Sequence, residues 1–295
     1  MKKNEDNTYI KQLIEGQYCL FSDNYNASSP ITFIIIPGNP SIAELYIQFG
    51  NLLKKQYKYP VIISSLISND SKTYSLERCI EYKKKFFEYL FKNNPNTKYI
   101  VLGHSIGNYI LFQALRRINN INNIIAIYSL FPALQNLYSC FPFDYKILTF
   151  NYLIIYLFSF FIKLLKIFPL CLTILFFKMV SDVPSDKVEC LINNIDYSSI
   201  KQILFLAKDE GKYIKDYDKD FIEFLNNISP KLRMIYGKND RYGNEKIAKK
   251  FKELVPNAQI KIVDILHAFV LGYTHDIFNE IVDMINSDID KSKNN

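Results

Sequence analysis

Residues 99–110 read YIVLGHSIGNYI, a short apolar run that ends on a serine between two glycines. A β-branched apolar run of this length is typical of a buried strand, and residues 108–117 have the apolar spacing of a helix. Ser105 therefore stands where a strand gives way to a helix. Gly103 and Gly107 flank it at two residues on either side, where a side chain would collide with the neighbouring strand or helix. The stretch predicts a tight turn that exposes one hydroxyl.

The predicted helix after this turn places polar groups beside the hydroxyl. Its first turn offers backbone N–H donors and the positive end of the helix dipole beside the oxygen of Ser105. A serine on a strained strand–turn–helix junction is the nucleophile elbow of serine hydrolases. The simpler alternative is a serine that only caps the helix.

The same alternation of short apolar runs and helical segments continues on both sides of the turn. Such alternation predicts βαβ units and a mostly parallel sheet with helices on both faces, which is an α/β fold. The predicted strands cover residues 18–22, 31–36, 61–66, 99–102, 124–130, 232–236 and 259–265. The predicted helices cover residues 42–56, 73–92, 108–117, 245–254 and 272–286.

The alternation stops for about a hundred residues and resumes near residue 230. Because 295 residues suit one large α/β domain, we interpret this gap as an insertion and not as a second domain. The sequence thus predicts a hydrolase-like core formed by residues 1–130 and 230–295. Residues 131–229 form the predicted cap.

Composition narrows the range of partners and cofactors. The net charge of +7 comes from scattered lysines without arginine clusters, so nucleic acid is not an expected partner, whereas an anionic lipid surface is possible. The five cysteines form no CxxC pair, which predicts reduced thiols and no metal site. The polar start MKKNEDNTYI shows no signal peptide. We expect a chain that begins in the cytosol and uses no cofactor.

A serine nucleophile needs a general base, and the sequence contains three histidines. His104 adjoins the nucleophile inside the elbow, and His275 lies within a predicted helix. His267 follows the predicted strand 259–265 in a loop, at the end of the sheet where the elbow also lies. It fits the chain order serine, acid, histidine of this scaffold. The alternative is a loop histidine that only packs against Phe269.

The acid should follow the strand that precedes the histidine loop. Asp240 lies four residues after the predicted strand 232–236 in a glycine-containing loop. There it would fix the tautomer of the imidazole and stabilise the imidazolium. Asp264 competes with it, and Asp209 and Asp182 fall in the insertion. Asp240 is the preferred candidate, although an ordinary turn aspartate would look the same.

The oxyanion hole needs two hydrogen-bond donors. One is the backbone N–H of Ile106, the residue after the nucleophile, and the second should come from the loop after strand 31–36. That loop reads PGNP, in which Gly38 and Asn39 bring the backbone close and the prolines stiffen it. The side-chain amide of Asn39 could also donate. A rigid turn without this role is the alternative.

Three blocks of sequence carry a resemblance to a known family. They are PGNP at residues 37–40 with Tyr46 and Phe49 downstream, GHSIG at residues 103–107, and HAFVL at residues 267–271. Together they resemble the lipid-droplet-associated hydrolases, a branch of the α/β-hydrolases, over nearly the whole chain. Weaker support comes from Asp209, Glu210, Tyr236, Gly237 and Asp240.

The resemblance implies an α/β-hydrolase fold with Ser105 as nucleophile, Asp240 as acid and His267 as base. It also implies action on sterol esters or other neutral lipid esters, at a lipid droplet or the cytosolic face of the endoplasmic reticulum. The chain departs from the family at Ser41, where glycine is usual. It also departs at residues 241–244, RYGN, where Trp and Pro usually follow the acid, and it lacks the family's SPNG-like segment at residues 131–141.

The predicted cap contains a strongly apolar segment, residues 147–180. It has no acidic residue, and its charges are Lys163, Lys166 and Lys178. These lysines leave apolar runs of 16 and 11 residues, and Pro169 interrupts the second. A spanning helix needs about 20 apolar residues, so the segment more readily lies in a phospholipid surface, with its lysines reaching the headgroups. The alternatives are helices buried against the core and a membrane span.

The proposed lipid contacts in this segment are Phe158, Phe161, Lys163, Lys166, Phe176 and Phe177. The sequence as a whole predicts a serine esterase of lipid esters at a lipid surface. Two rival functions use the same residues: a lipid-droplet binding or organising protein whose triad is weak or vestigial, and an acyltransferase that delivers the acyl group to an alcohol.

Overall fold

The computed structural model describes residues 9–68, 75–165, 184–194 and 197–294. They form one eight-stranded sheet in the order β1-β2-β4-β3-β5-β6-β7-β8. Strands β3 to β8 pair in parallel, whereas β2 pairs antiparallel with both β1 and β4. The predicted mostly parallel sheet is therefore confirmed. The strands are β1 Tyr9–Ile14, β2 Gln17–Ser22, β3 Ile31–Ile36, β4 Val61–Ser68, β5 Lys98–His104, β6 Ile124–Leu130, β7 Leu232–Gly237 and β8 Gln259–Val263.

Eleven α-helices are described alongside the sheet, with short 3₁₀ helices at Ala43–Tyr46, Ser229–Lys231 and Phe269–Leu271. The helices are α1 Ile47–Tyr57, α2 Leu76–Asn93, α3 Ile106–Leu115, α4 Leu137–Cys140, α5 Phe143–Phe150, α6 Tyr152–Leu165, α7 Ser185–Asn194, α8 Tyr197–Tyr213, α9 Lys219–Ile228, α10 Glu245–Leu254 and α11 Thr274–Lys293.

Two apolar layers enclose the central strands. On one face the sheet packs against α2, α3, α9 and α10, and on the other against α1 and α11. All six residues of β3 are buried, because this strand lies in the middle of the sheet with helices above and below it. A strand buried on both faces has a continuous apolar sequence, which is why ITFIII at residues 31–36 is readable as a strand.

The first strand was missed by sequence reasoning. Only a strand near residues 18–22 was predicted, whereas β1 adds an antiparallel partner at the edge of the sheet. Four of its six side chains are exposed, so the sequence YIKQLI contains no buried apolar run. An edge strand of this kind is held by its ladder to β2, which a local pattern does not reveal.

The C-terminal helix is longer than predicted, since it continues through Lys293 where the sequence predicted an end at residue 286. A buried ion pair fixes it to the sheet: the Arg233 guanidinium on β7 donates to both carboxylate oxygens of Asp288. Tyr128 on β6 adds a hydrogen bond to the same carboxylate at 2.7 Å. The helix is thereby held against two neighbouring strands.

The predicted cap region, residues 131–229, lies between β6 and β7. Helices α5, α6 and α8 pack against one another there, with Ile155, Ile200 and Leu204 in a small apolar cluster of their own. Helix α9 falls within the same range but packs on the core, where Phe221 contacts Phe112 of α3. The last helix of the insertion thus belongs to the layer that covers the sheet.

Candidate active site

The loop after β5 has the backbone of a nucleophile elbow. Ser105 has φ of 51° and ψ of −127°, a conformation that costs a non-glycine residue free energy and persists only where its surroundings hold it. Its N–H donates to the carbonyl of Leu130 at 3.0 Å. The Asn108 side chain donates to the carbonyls of both Ser105 and Leu130. These bonds hold the serine in its strained turn.

The two elbow glycines are required by space. A Cβ on Gly103 would overlap the side-chain oxygen of Asn108, and a Cβ on Gly107 would overlap the carbonyl oxygens of Pro37 and Ile36. Gly107 therefore lets the start of α3 lie directly against the end of β3. This close approach brings the elbow into contact with the PGNP loop.

The structure brings the three predicted side chains together. His267 Nε2 lies 2.9 Å from Ser105 Oγ, and His267 Nδ1 lies 2.7 Å from Asp240 Oδ2. The Asp240 side chain is 1% exposed and that of His267 is 23% exposed. Nδ1–H donating to the buried carboxylate leaves Nε2 free to accept the serine proton. This is the geometry of a Ser–His–Asp triad.

The competing residues lie elsewhere. Asp264 is an exposed residue just after β8, and His275 is exposed as the second residue of α11 rather than in mid-helix. Asp209 accepts a hydrogen bond from the N–H of Leu76, at the start of α2. Asp182 lies outside the described residues.

His104 has a place in the site that its sequence position did not reveal. Its Nδ1 lies 2.6 Å from the Tyr46 hydroxyl and its Nε2 lies 2.9 Å from the His267 carbonyl. Because that carbonyl can only accept, Nε2 carries the proton and Tyr46 donates to Nδ1. Burial lowers the pKa of His104 to about 3, and the nearby His267 adds to the effect. A neutral His104 thus joins Tyr46 to the backbone of the triad histidine.

The predicted oxyanion hole needs one correction. The N–H of Gly38 donates to the Tyr46 hydroxyl at 2.9 Å, and the Asn39 side-chain amide donates to helix α8. Neither group is therefore available for an oxyanion in this arrangement. Within the described residues, the backbone N–H groups of Asn39 and Ile106 have no hydrogen-bond acceptor. Of the two predicted loop residues, Asn39 is therefore the one whose backbone N–H stays free to donate.

Gly38 serves the site through its size. A Cβ at this position would lie 2.8 Å from Ser105 Cβ, so the glycine allows the loop to approach the nucleophile. Ser41 ends the same loop with φ of 62°, a region that favours glycine. Its hydroxyl accepts the N–H of Leu66 at 2.6 Å. This bond offsets part of the strain and accounts for a serine where the resembling family has glycine.

The acid loop also accommodates its unusual sequence. Asp240 Oδ1 accepts the N–H of Tyr242 at 2.9 Å, and the Tyr242 ring centroid lies 4.8 Å from that of His267. Gly243 comes close to the Pro132 carbonyl, and Asn244 caps α10. Tyr242 therefore covers the imidazole at the place where the resembling family usually has a tryptophan nearby. Among the described residues, no group of His, Cys, Asp or Glu is arranged to hold a metal ion.

Solved structures with a similar fold include a carboxylesterase and a putative lipase. A carboxylesterase of Nitrososphaera gargenis matches with a TM-score of 0.62 and 15% identity, covering 96% of this chain and 99% of that chain. A putative lipase of Acinetobacter baumannii has a TM-score of 0.62 and 16% identity, covering 96% and 92%. The predicted α/β-hydrolase fold is confirmed. The chain therefore has the fold of the esterase and lipase class.

Sequence comparison identifies the branch within this class. The model of the lipid-droplet associated hydrolase family matches residues 29–270. The lipid droplet-associated hydrolase of Dictyostelium discoideum is 28% identical, over 90% of both chains. That of Rattus norvegicus is 25% identical, over 94% of this chain and 91% of the relative. This chain belongs to the lipid-droplet associated hydrolase family, which confirms the resemblance seen in its motifs and makes it a lipid hydrolase.

The close approach at Gly107 predicts a selective loss of nucleophile reactivity. In Gly107→Ala the new methyl group meets backbone carbonyls that cannot rotate away, so the elbow and the PGNP loop move apart. Because misplacement by about 1 Å can cost on the order of 10²-fold, we expect at least tenfold slower labelling by a fluorophosphonate. Gly272→Ala is the control, since a Cβ there meets nothing within 4 Å. Equal labelling of both variants, with circular dichroism like wild type, would contradict this account.

The buried neutral His104 predicts a pH dependence of stability. Its pKa of about 3 in the folded chain lies below the ordinary value of 6.5, so the unfolded chain binds a proton that the folded chain does not. The free energy of unfolding should therefore fall as the pH falls below about 6.5, by up to about 1.4 kcal/mol per pH unit. Urea unfolding at pH 7, 6 and 5 measures this slope. His104→Gln should reduce it and the exposed His275→Gln should not; the same slope in both variants would refute the assignment.

Proposed function

We propose that this chain hydrolyses neutral lipid esters, sterol esters or other acyl esters, with Ser105 as nucleophile, His267 as general base and Asp240 as the orienting acid. The observation that supports this most is the continuous hydrogen-bonded line from Ser105 Oγ through both ring nitrogens of His267 to Asp240, at 2.9 Å and 2.7 Å. A serine becomes a nucleophile when a base lies within hydrogen-bond reach and a third group orients that base.

The reaction begins when the Ser105 oxygen attacks the acyl carbonyl and its proton passes to His267 Nε2. The resulting imidazolium is stabilised by Asp240, and the tetrahedral oxyanion accepts hydrogen bonds from the N–H groups of Ile106 and Asn39. His267 then gives its proton to the departing alkoxide, which leaves as the alcohol. Water attacks the acyl-serine by the same route and releases the fatty acid, and His267 returns the proton to Ser105.

The proposed lipid contact rests on the outer face of α6. Leu153, Leu157 and Phe161 follow one another at i, i+4 and i+8 on this helix and are 66%, 58% and 48% exposed. The inner face instead buries Ile155 and Ser159. The other large exposed apolar side chains of α6 are Tyr152, Tyr156, Phe158, Phe160 and Leu164.

An apolar face this large on one helix fits a phospholipid surface. Lys163 is exposed near its end, where its ammonium group can reach the headgroups; Lys166, Phe176 and Phe177 lie outside the described residues. No helix in the described ranges has the length and apolar content needed to span a membrane. From its exposed apolar face we propose that α6 lies in the surface of a lipid droplet or in the cytosolic face of the endoplasmic reticulum.

The exposed face of α6 also favours a second function. A helix that binds a lipid surface does so without any turnover at Ser105, so the chain could organise lipid droplets as a binding protein. Acyl transfer to an alcohol is a variant of the first function, since the same acyl-serine would be intercepted by an alcohol instead of water. Analysis of the reaction products distinguishes hydrolysis, acyl transfer and binding without turnover.

The triad assignment predicts loss of both labelling and turnover. Ser105→Ala removes the nucleophile, and Asp240→Asn disturbs the tautomer of His267. We expect each to lower hydrolysis of neutral lipid esters by at least 10³-fold. The exposed Ser139→Ala is the matched control. The measurement is fatty acid release from a panel of sterol, acylglycerol and short-chain esters, together with fluorophosphonate labelling.

The result can contradict the proposal in two ways. Wild-type protein that takes up no fluorophosphonate, or label retained at full level in Ser105→Ala, would remove the assigned nucleophile. Normal cellular lipid droplets in the presence of a stably folded Ser105→Ala would instead favour the binding function. Acyl transfer would appear as a new ester when an alcohol is added.

If the outer face of α6 contacts lipid, polar substitutions on that face should weaken binding to a lipid surface. The triple variant Leu153→Ser, Leu157→Ser and Phe161→Ser removes three exposed apolar side chains, each worth about 1.5–3 kcal/mol when fully buried. We expect binding to phospholipid-coated triolein droplets to weaken at least tenfold, while hydrolysis of a soluble short ester stays within about twofold.

The edge strand β1 offers the control for this experiment. Ile10 and Leu13 are 58% and 56% exposed, and Ile10→Ser with Leu13→Ser should leave droplet binding unchanged. Equal binding by the two multiple variants would remove α6 as the contact.

A further inference from the structure

Glu210 is a buried carboxylic acid that the mechanism above does not use. It lies on α8, and its Oε1 accepts a hydrogen bond from Asn39 Nδ2 at 3.2 Å. No lysine or arginine pairs with it among the described residues. Burial raises the pKa of Glu210 to about 7, although the Asn39 hydrogen bond opposes the rise and the charge of Asp209 adds to it. Burying a carboxyl group costs free energy unless it is well paired, and the side-chain partner described for Glu210 is the neutral Asn39. The position of Glu210 therefore needs an explanation.

Its partner Asn39 is the residue whose backbone N–H faces no acceptor beside the nucleophile. The same side-chain amide also donates to the carbonyl of Ile203 at 3.0 Å. Ile203 and Glu210 are seven residues apart and so lie on the same face of α8, two turns from each other. Asn39 is therefore held at two points of one rigid helix, and both protons of its amide are used.

The helix that holds Asn39 is itself fixed to the core. Asp209, the neighbour of Glu210, accepts the N–H of Leu76 at the first turn of α2 at 2.9 Å. The carboxyl of Glu210 thus lies against Asn39 of the oxyanion loop, on a helix that is tied to α2.

We propose that Glu210 is a positioning residue that acts through Asn39. By fixing the Asn39 side chain it sets the direction of the Asn39 N–H toward the oxyanion. Gly38, on the other side of this peptide, is already held through its N–H by Tyr46. The Gly38–Asn39 peptide, which supplies the second oxyanion donor, is therefore held by Tyr46 on one side and by helix α8 on the other. This inference rests on the proposed hydrolysis at Ser105.

The proposal predicts an effect on turnover rather than on binding. In Glu210→Ala the amide of Asn39 loses one of its two acceptors, so the donor is less well aimed, and we expect kcat for p-nitrophenyl butyrate to fall about 10- to 100-fold. This is less than the 10²–10³-fold caused by removing an oxyanion donor. KM should stay within about twofold. Glu210→Gln keeps the acceptor and the shape, and we expect it to restore kcat to within about threefold of wild type.

A double-mutant cycle tests whether Glu210 works through its partner. Asn39→Ala keeps the backbone N–H but removes the side chain that α8 holds, and it should lower kcat as well. If Glu210 acts through Asn39, adding Glu210→Ala to Asn39→Ala should cost less than a further twofold. Full additivity of the two losses would overturn the proposal.

A structural control separates positioning from loss of stability in the cap. Leu204→Ala opens a cavity in the apolar cluster of Ile155 and Ile200, on the same helix but away from the Asn39 contact. It should lower the melting temperature while kcat stays within about threefold. A fall in kcat equal to that of Glu210→Ala would show that cap stability alone controls turnover.

The wild type and Ser105→Ala are measured on the same ester first. Wild type without turnover would overturn the proposed function and this inference together. Turnover that depends on Ser105, combined with an unchanged kcat in Glu210→Ala, would overturn the role of Glu210 alone and leave the hydrolase intact.

Discussion

The close approach of α3 to the end of β3 is the constraint on which the site depends. Gly107 permits it, because any side chain there would overlap the carbonyl oxygens of Ile36 and Pro37. The approach holds Ser105 in its strained backbone conformation and sets the PGNP loop beside the nucleophile. Strain of this kind must be stabilised by the surroundings, and here the Leu130 carbonyl and the Asn108 side chain do so. The Ser105 turn and the PGNP loop consequently form one rigid unit.

The remaining groups reach this unit because parallel strands end at one edge of the sheet. The loops after β3, β5, β7 and β8 supply the oxyanion loop, the serine, the acid and the histidine. Hydrogen bonds then join these loops into a network: His104 binds the backbone of His267 and the Tyr46 hydroxyl, which in turn accepts from Gly38. A change in any one loop is therefore transmitted to the others through buried contacts with few alternative partners.

Local signals were sufficient for much of this site. The glycines around Ser105, the place of His267 after its strand and the distance of Asp240 from β7 are short-range patterns, and the structure brings these three side chains together. Contacts between distant residues were not readable. Asn39 and Glu210 are 171 positions apart in the sequence, so no local pattern indicates their hydrogen bond. PGNP indicated a loop beside the serine, but it gave no sign that the Gly38 N–H donates to the Tyr46 hydroxyl. The edge strand β1 escaped because its side chains are mostly exposed. The glycine-like conformation of Ser41 gives no sign in its own residue type.

The packing of the cap differs from the packing of the core. Among the described residues, helix α6 packs on α8 through a small cluster that contains Ile155, Ile200 and Leu204, while its outer face carries large exposed apolar side chains. In water alone such a helix would be held weakly, because burial of apolar area is the main favourable term in packing. Covering the outer face with lipid would supply that burial without changing the inner contacts. Because α8 also holds Asn39, the helix layer proposed to meet the lipid is connected directly to the loop beside Ser105.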